Sequence, residues 1–139
     1  MGFLADTNYI ETNNSAKSTS ADIENLRSLY YNFNTTAVLS KGDTKIVGEN
    51  SPKVILVKLS DIDAVYQKNS DLSEIEMLII NIEDEKSANL NLKDLNNLPK
   101  LKYIVFKSDS DVSSRYINSF IVNAKDVNYT LLYDISIAQ

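Results

Sequence analysis

Acidic side chains follow three of the apolar segments in the sequence, and carboxylates are the first groups here that could do chemistry. They are Asp61, the run of Glu83, Asp84 and Glu85, and Asp109. Ligands of open α/β sheets collect beyond the carboxyl ends of the strands, so Asp61, Asp84 and Asp109 form a candidate row for Mg²⁺ or Ca²⁺. Aspartate also caps helix N-termini, and no glycine-rich phosphate loop accompanies these residues. We therefore predict that Asp61, Asp109 and Asp111 are caps, with no bound metal and no cofactor, and keep the acidic row as the alternative.

The usual residues of nucleophilic and acid–base catalysis are missing from the sequence. The 139 residues include no Cys and no His, so thiolate nucleophiles, disulfides and imidazole bases are excluded. Ser and Thr lack a His to activate them, and no Ser-x-x-Lys motif occurs. The 14 basic and 19 acidic residues give a net charge of −5, the wrong sign for holding a phosphate backbone. The sequence predicts a protein that is not an enzyme and does not bind nucleic acid.

Tyrosine is the most frequent aromatic residue, with eight Tyr against four Phe and no Trp. Tyrosine combines apolar area with a hydroxyl group and is common at recognition surfaces. Tyr103 and Tyr133 lie in apolar segments, and Val105 and Lys107 belong to the same segment as Tyr103. We take Tyr103, Val105, Lys107 and Tyr133 as the candidate interaction surface.

A serine-rich stretch lies between an apolar segment and a helix-like one, at residues 108–114. A serine there, at a helix N-terminus, resembles the phosphoacceptor of STAS-type anti-sigma-factor antagonists. The glycine that follows the acceptor in that family is missing, and a serine-rich capping turn explains the same residues. An intracellular STAS-like domain, switched by serine phosphorylation, is kept as the alternative function.

Short aliphatic and aromatic runs at 53–59, 77–82, 103–107 and 130–135 predict four strands. Helical spacing predicts helices between them, around residues 62–66, 92–98 and 112–124. Before the first strand, a helix beginning at Ser20 or Asp22 is predicted from the spacing of Ile23, Leu26, Leu29, Tyr30 and Phe33. Residues 37–39 and 45–47 form either a small hairpin or one strand and a turn. Strands that alternate with helices predict a mostly parallel sheet with right-handed βα crossovers.

The strand centres Leu56, Ile80, Phe106 and Leu132 are spaced by 24, 26 and 26 residues, which indicates a repeat. The clearest unit has apolar residues at regular positions, namely Leu92, Leu95, Leu98, Leu101, Ile104 and Phe106, with Pro99 after the third. It resembles a leucine-rich repeat, and the resemblance covers residues 52–136. Family members carry Asn at the last position of the motif, where this sequence has Glu83 and Asp109. The resemblance implies a short solenoid that binds a protein or a glycan.

Both faces of the predicted sheet are apolar. The residues assigned to the second face are Ile55, Val57, Met77, Ile79, Tyr103, Val105, Leu131 and Tyr133. Parallel strands of this composition are usually covered on both sides. We expect the N-terminal helix to cover the second face, and a homodimer if it does not.

These observations predict a flexible polar lead-in at residues 1–19 and a single α/β domain at residues 20–139. The domain has a parallel sheet of about four to five strands, resembling a short leucine-rich-repeat solenoid capped by the N-terminal helix. Unbroken apolar runs reach only four residues, too short for a transmembrane segment. We predict a non-catalytic binding module for a protein or glycan. Its compartment is open, and the polar lead-in favours export or the cell surface.

Overall fold

The computed structural model describes residues 20–67, 70–82, 89–108, 114–123 and 127–135. Within them the chain forms a six-stranded sheet and two α-helices. The strands of the sheet are β1 (Thr36–Ser40), β2 (Asp43–Val47), β3 (Val54–Lys58), β4 (Met77–Asn81), β6 (Tyr103–Ser108) and β8 (Thr130–Ile135). The spatial order is β2-β1-β3-β4-β6-β8.

The sheet is mostly parallel, as the alternation of strands and helices predicts. The strands β1, β3, β4, β6 and β8 are parallel and lie side by side in chain order. β2 pairs antiparallel with β1 at one edge, so the hairpin alternative for this region is confirmed. With β1 and β2 the sheet has six strands, which is more than the four to five predicted. The antiparallel β2 makes the sheet mixed.

The connections between strands are mostly short 3₁₀ helices rather than α-helices. They are Leu59–Tyr66, Ser70–Leu72 and Leu92–Leu95, and α2 (Ser114–Phe120) has seven residues. A second, two-stranded parallel sheet pairs β5 (Leu90–Asn91) with β7 (Ile121–Val122). The α-helices expected around 62–66 and 92–98 were wrong in type, because apolar spacing over one or two turns does not separate 3₁₀ from α geometry.

The register of the sheet corrects two of the predicted strand centres. Leu56 aligns with Ile79, then with Val105 and Leu132. Ile80 and Phe106 are one residue further along their strands. Because side chains alternate across a sheet, a slip of one residue exchanges the two faces.

The first face of the sheet carries the main core. The side chains from the sheet in this core are buried, namely Ala37, Leu39, Ile55, Val57, Leu78, Ile80, Ile104, Phe106, Leu131 and Tyr133. The 3₁₀ helices and α2 pack on them, through Ile62, Leu95 and Ile117 among others. Ile55, Val57, Leu131 and Tyr133 therefore belong to the first face, in contrast to the face expected from the sequence.

The N-terminal helix covers part of the second face. This helix, α1 (Ser20–Tyr31), buries Leu26 and Leu29 in a second cluster. The sheet residues of that cluster are Val54, Met77, Tyr103, Val105 and Leu132. The predicted intramolecular cover is confirmed, but Phe33 lies beyond the helix and is 77% exposed.

Asparagine amides join successive connecting segments. Asn97 Nδ2 donates to the carbonyls of Val65 and Gln67, both at 2.9 Å. Asn123 Nδ2 donates to Asn91 Oδ1 at 2.7 Å, and Asn91 Oδ1 also accepts from the backbone N–H of Lys93. These amides stand at other positions than Glu83 and Asp109, which lie outside the described residues.

Gly48 and Gly42 both have positive φ, but only Gly48 lies against another part of the chain. A Cβ on Gly48 would lie 2.3 Å from Thr35 Oγ1 and 2.8 Å from Thr35 Cα, whereas a Cβ on Gly42 meets open space. We expect Gly42→Ala to lower the free energy of unfolding by about 1 kcal/mol through backbone strain alone. Gly48→Ala should lower it by about 2–3 kcal/mol, because steric overlap adds to the strain. Urea unfolding of both variants measures the difference, and equal losses would contradict the predicted contact.

Candidate interaction surface

The second face of the sheet is only partly covered by α1. The helix lies over residues of β3, β4, β6 and β8, and the side of the face toward β1 stays accessible. Leu56, at the centre of β3, is 37% exposed, and Val38 and Ile79 beside it are half-buried. In the register these three residues form one row across β1, β3 and β4. Leu56 and Val38 leave an apolar strip open to solvent in the middle of the sheet, and Ile79, which packs against the cluster under α1, borders this strip.

Lysines surround these apolar residues. Lys45 pairs with Val38 at the β2 edge, while Lys58, Asn81 and Lys107 form the next row on β3, β4 and β6. The three lysines are exposed. We call the surface formed by Val38, Leu56, Ile79, Lys45, Lys58, Asn81 and Lys107 the open strip.

Among the described strand residues of this face, the acidic groups are fewer than the lysines and lie at its two edges. Asp134 continues the row of Lys58, Asn81 and Lys107 on β8, but it is buried and accepts a hydrogen bond from the Tyr30 hydroxyl of α1. Asp43 lies at the opposite edge, paired with Ser40. The described part of the open strip is therefore apolar at its centre and positive around it, in a chain with a net charge of −5.

Polar contacts fix α1 at the edge of the open strip. Asn25 Nδ2 lies 3.4 Å from Glu76 Oε1 and 3.5 Å from the Tyr103 hydroxyl. Glu76 in turn lies between Lys53, at 3.6 Å, and Lys102, at 3.5 Å. These charges stand at the amino ends of β3, β4 and β6, so they fix Asn25 at that end of the sheet. Tyr30 of the same helix bonds Asp134 at the other end, in the row of Lys58 and Lys107.

The shifted pKa values among the described residues belong to three tyrosines and to Glu74. Burial raises the pKa of Tyr66, whose hydroxyl accepts a hydrogen bond from the backbone N–H of Asn91, and burial also raises the pKa of Tyr129. Partial burial and the charge of Asp134 raise the pKa of Tyr31. A hydrogen bond from Lys100 lowers the pKa of Glu74. All three tyrosines therefore stay neutral near pH 7.

The four residues predicted as an interaction surface do not lie together on the outside of the fold. Tyr103 and Val105 are buried beneath α1, and Tyr133 is buried on the first face, where its ring centroid lies 5.8 Å from that of Phe106. Lys107 is exposed and borders the open strip. The accessible part of the second face is thus displaced toward β1 relative to the prediction.

The acidic row is described only at Asp61, since Asp84 and Asp109 lie outside the described residues. Asp61 is half-buried in the first turn of the helix Leu59–Tyr66, whose N-cap position is held by Lys58 without a side-chain hydrogen bond. Asp61 itself has non-helical backbone angles (φ −108°, ψ 15°) at a kink inside this segment, so its role as a cap stays a prediction. Ser108 is buried at the end of β6, and residues 109–113 of the serine-rich stretch are outside the described part of the chain.

Sequence reasoning missed the residues at the centre of the open strip. Leu56 and Ile79 stand in predicted strands, but Leu56 was assigned to the same row as Ile80 rather than Ile79. Val38 was assigned to the hairpin region, with no face. The signal that identifies them is the register of neighbouring strands, which local spacing does not contain.

Comparison of the chain with protein-family models, with curated proteins and with solved structures found no match in any of the three. Among the described residues, no helix has both the length and the apolar character needed to cross a membrane.

The contact of α1 with the sheet gives a direct test by substitution. Leu26 is buried in the second cluster, and Ile23, one turn earlier on the helix, is 37% exposed. We expect Leu26→Ala to lower the free energy of unfolding by about 2–3 kcal/mol, because it removes buried apolar area and leaves a cavity. The matched control Ile23→Ala should change it by less than about 1 kcal/mol. Urea unfolding monitored by circular dichroism provides both values, and an equal effect would show that α1 does not pack as described.

Proposed function

We propose that the chain is a non-catalytic binding module whose open strip recognises an acidic segment of a protein partner. The observation that carries this proposal is the exposure of Leu56 in the middle of a parallel sheet. Complete exposure of an apolar side chain costs about 1.5–3 kcal/mol relative to its burial. A partner that buries this exposed part of the sheet therefore gains binding free energy from it.

Charge supports an acidic partner. Lys45 and Lys107 are exposed at two sides of the apolar row, with Lys58 between them. Adjacent strands lie about 4.8 Å apart, so the backbones of Lys45 and Lys107, four strands apart, are separated by about 19 Å. A segment with carboxylates at such a spacing and apolar side chains between them complements the strip. Charge complementarity of this kind contributes mainly to specificity and to the rate of association.

The strand order supports a finer proposal for the architecture. Five parallel strands in chain order, whose described connecting helices pack on one face of the sheet, support a solenoid arrangement. We propose that the domain is a short, divergent leucine-rich-repeat-like solenoid with right-handed crossovers. A face formed by successive parallel strands then provides the binding surface. The sequential order of the parallel strands favours the binding module, whereas the antiparallel edge strand β2, which makes the sheet mixed, favours the STAS-like alternative.

A peptide library tests the proposed function. The full chain, immobilised through its N-terminus, is used to select binders from a phage-displayed library of random peptides, and the affinities of synthetic copies of the selected peptides are then measured. We expect acidic peptides with apolar residues between the carboxylates. Leu56→Arg should abolish their binding, and Lys107→Glu should weaken it at least tenfold, which corresponds to about 1.4 kcal/mol.

The matched control is Lys93→Glu. Lys93 is exposed on the helix Leu92–Leu95, whose buried leucines pack in the core of the first face, and it carries the same change of charge. It should leave the affinities unchanged. The proposal fails if the library provides no peptide whose binding depends on Leu56 and Lys107, or if Lys93→Glu weakens binding as much as Lys107→Glu. Circular dichroism of each variant confirms that the fold is retained.

A further inference from the structure

A cavity lies between the turn of the β1–β2 hairpin and the 3₁₀ helices that follow β3. Its volume is about 220 Å³. Its apolar side is formed by Leu39, Ala64 and Leu72, of which Leu39 and Leu72 are buried in the main core. Its polar side is formed by Asp43, Thr44 and Gln67, all of which are exposed. The site therefore combines an apolar floor with a polar, solvent-facing rim.

The register places the Leu39 and Thr44 side of this cavity on the face of the sheet opposite to the open strip, while Asp43 pairs with Ser40 at the hairpin turn, on the face of Val38. Thr44 of β2 pairs with Leu39 of β1, so the two side chains lie on the same face, where the helix Leu59–Tyr66 packs. Leu56 and Ile79 of the open strip lie on the other face. A ligand in the cavity therefore binds independently of a partner on the open strip.

The rim offers hydrogen-bonding capacity that the described fold does not use. Within the described residues, no hydrogen bond or ion pair engages the side chains of Asp43, Thr44 and Gln67. The hydroxyl of threonine and the amide of glutamine both donate and accept, whereas the carboxylate of aspartate only accepts. A complementary ligand presents several groups that donate and accept at once, as hydroxyl groups do.

The charge and the volume of the cavity restrict the class of ligand further. Among the described residues that line the cavity, Asp43 is the one charged residue, and its carboxylate repels anions. A single exposed carboxylate falls well short of the six to eight oxygen ligands that Ca²⁺ takes. At about 30 Å³ for each water, the volume holds about seven water molecules, comparable to one pyranose ring.

We propose that this cavity binds a single neutral sugar ring. The C–H face of the ring lies over the half-buried Ala64, with the buried Leu39 and Leu72 beneath it, and its hydroxyl groups bond to Thr44 and Gln67. Small-molecule pockets hold their ligands through an apolar lining, and a few polar groups fix the orientation of the ligand. The proposal stands on the cavity alone and does not depend on a protein partner at the open strip.

An NMR titration of the full chain tests the sugar site. Glucose, galactose, mannose and N-acetylglucosamine are added singly, each to tens of millimolar, while amide chemical shifts are recorded. We expect at least one sugar to produce saturable shifts confined to the hairpin turn and to residues around Gln67. Its dissociation constant is expected in the millimolar range, since a small ligand with an exposed rim buries little area.

Three substitutions assign the binding to the cavity. Thr44→Val keeps the branched shape and removes the hydroxyl, and Gln67→Leu removes the amide; each should weaken binding at least fivefold. Lys41→Ala, in the same turn but outside the lining, should leave it unchanged. Leu56→Arg should also leave it unchanged, which separates this site from the open strip.

The proposal is overturned if none of the four sugars gives saturable shifts in these residues. It is equally overturned if acetate, phosphate or Ca²⁺ produces the same saturable shifts, because the site would then not select neutral hydroxyl-rich ligands. Retention of full sugar affinity in both Thr44→Val and Gln67→Leu would place the ligand elsewhere. The amide spectra of the variants show whether each remains folded.

Discussion

Burial of both faces of a parallel sheet is the constraint on which the rest of this structure depends. The strands of the sheet carry apolar side chains on both sides, so each side needs a cover. On the first face the 3₁₀ helices and α2 provide this cover. They belong to the connections that return the chain from the end of one parallel strand to the start of the next. On the second face the cover comes from α1, a helix that precedes the sheet in the chain.

The length of α1 explains why its cover is incomplete. Twelve residues at about 1.5 Å each make a helix about 18 Å long. Six strands at about 4.8 Å spacing make a sheet about 24 Å wide. The helix therefore reaches from β3 to β8 and leaves β1 and the neighbouring half of β3 accessible. The exposed Leu56 and the lysines around it follow from this difference in length, and they are the basis of the proposed binding function.

Local sequence patterns were sufficient to predict where the strands lie in the sequence, but not how neighbouring strands align with one another. Strands β3, β4, β6 and β8 were predicted within one or two residues, because runs such as residues 77–82 are rich in branched aliphatic residues between polar segments. The cover by α1 followed from the need to bury the second face. The register of the strands could not be predicted in this way, because it depends on the turns and on the neighbouring strands. An error of one residue therefore moved Tyr133 to the wrong face and separated Leu56 from Ile79. The hydrogen bonds of the Asn97 and Asn123 side-chain amides join residues about 30 positions apart, which no local sequence pattern can predict.

Thiol reactivity measures the central claim most directly, because the chain has no cysteine of its own. Leu56→Cys and Val105→Cys introduce single thiols in the same row of the second face, one in the open strip and one beneath α1. The account predicts that the thiol in the Leu56→Cys variant reacts with a disulfide reagent at a rate close to that of the unfolded chain. The thiol in the Val105→Cys variant should react at least about a hundredfold more slowly, since it becomes accessible only when the cover opens. Equal rates for the two variants, in chains shown to be folded, would contradict the claim that α1 covers one part of this face and leaves the other open.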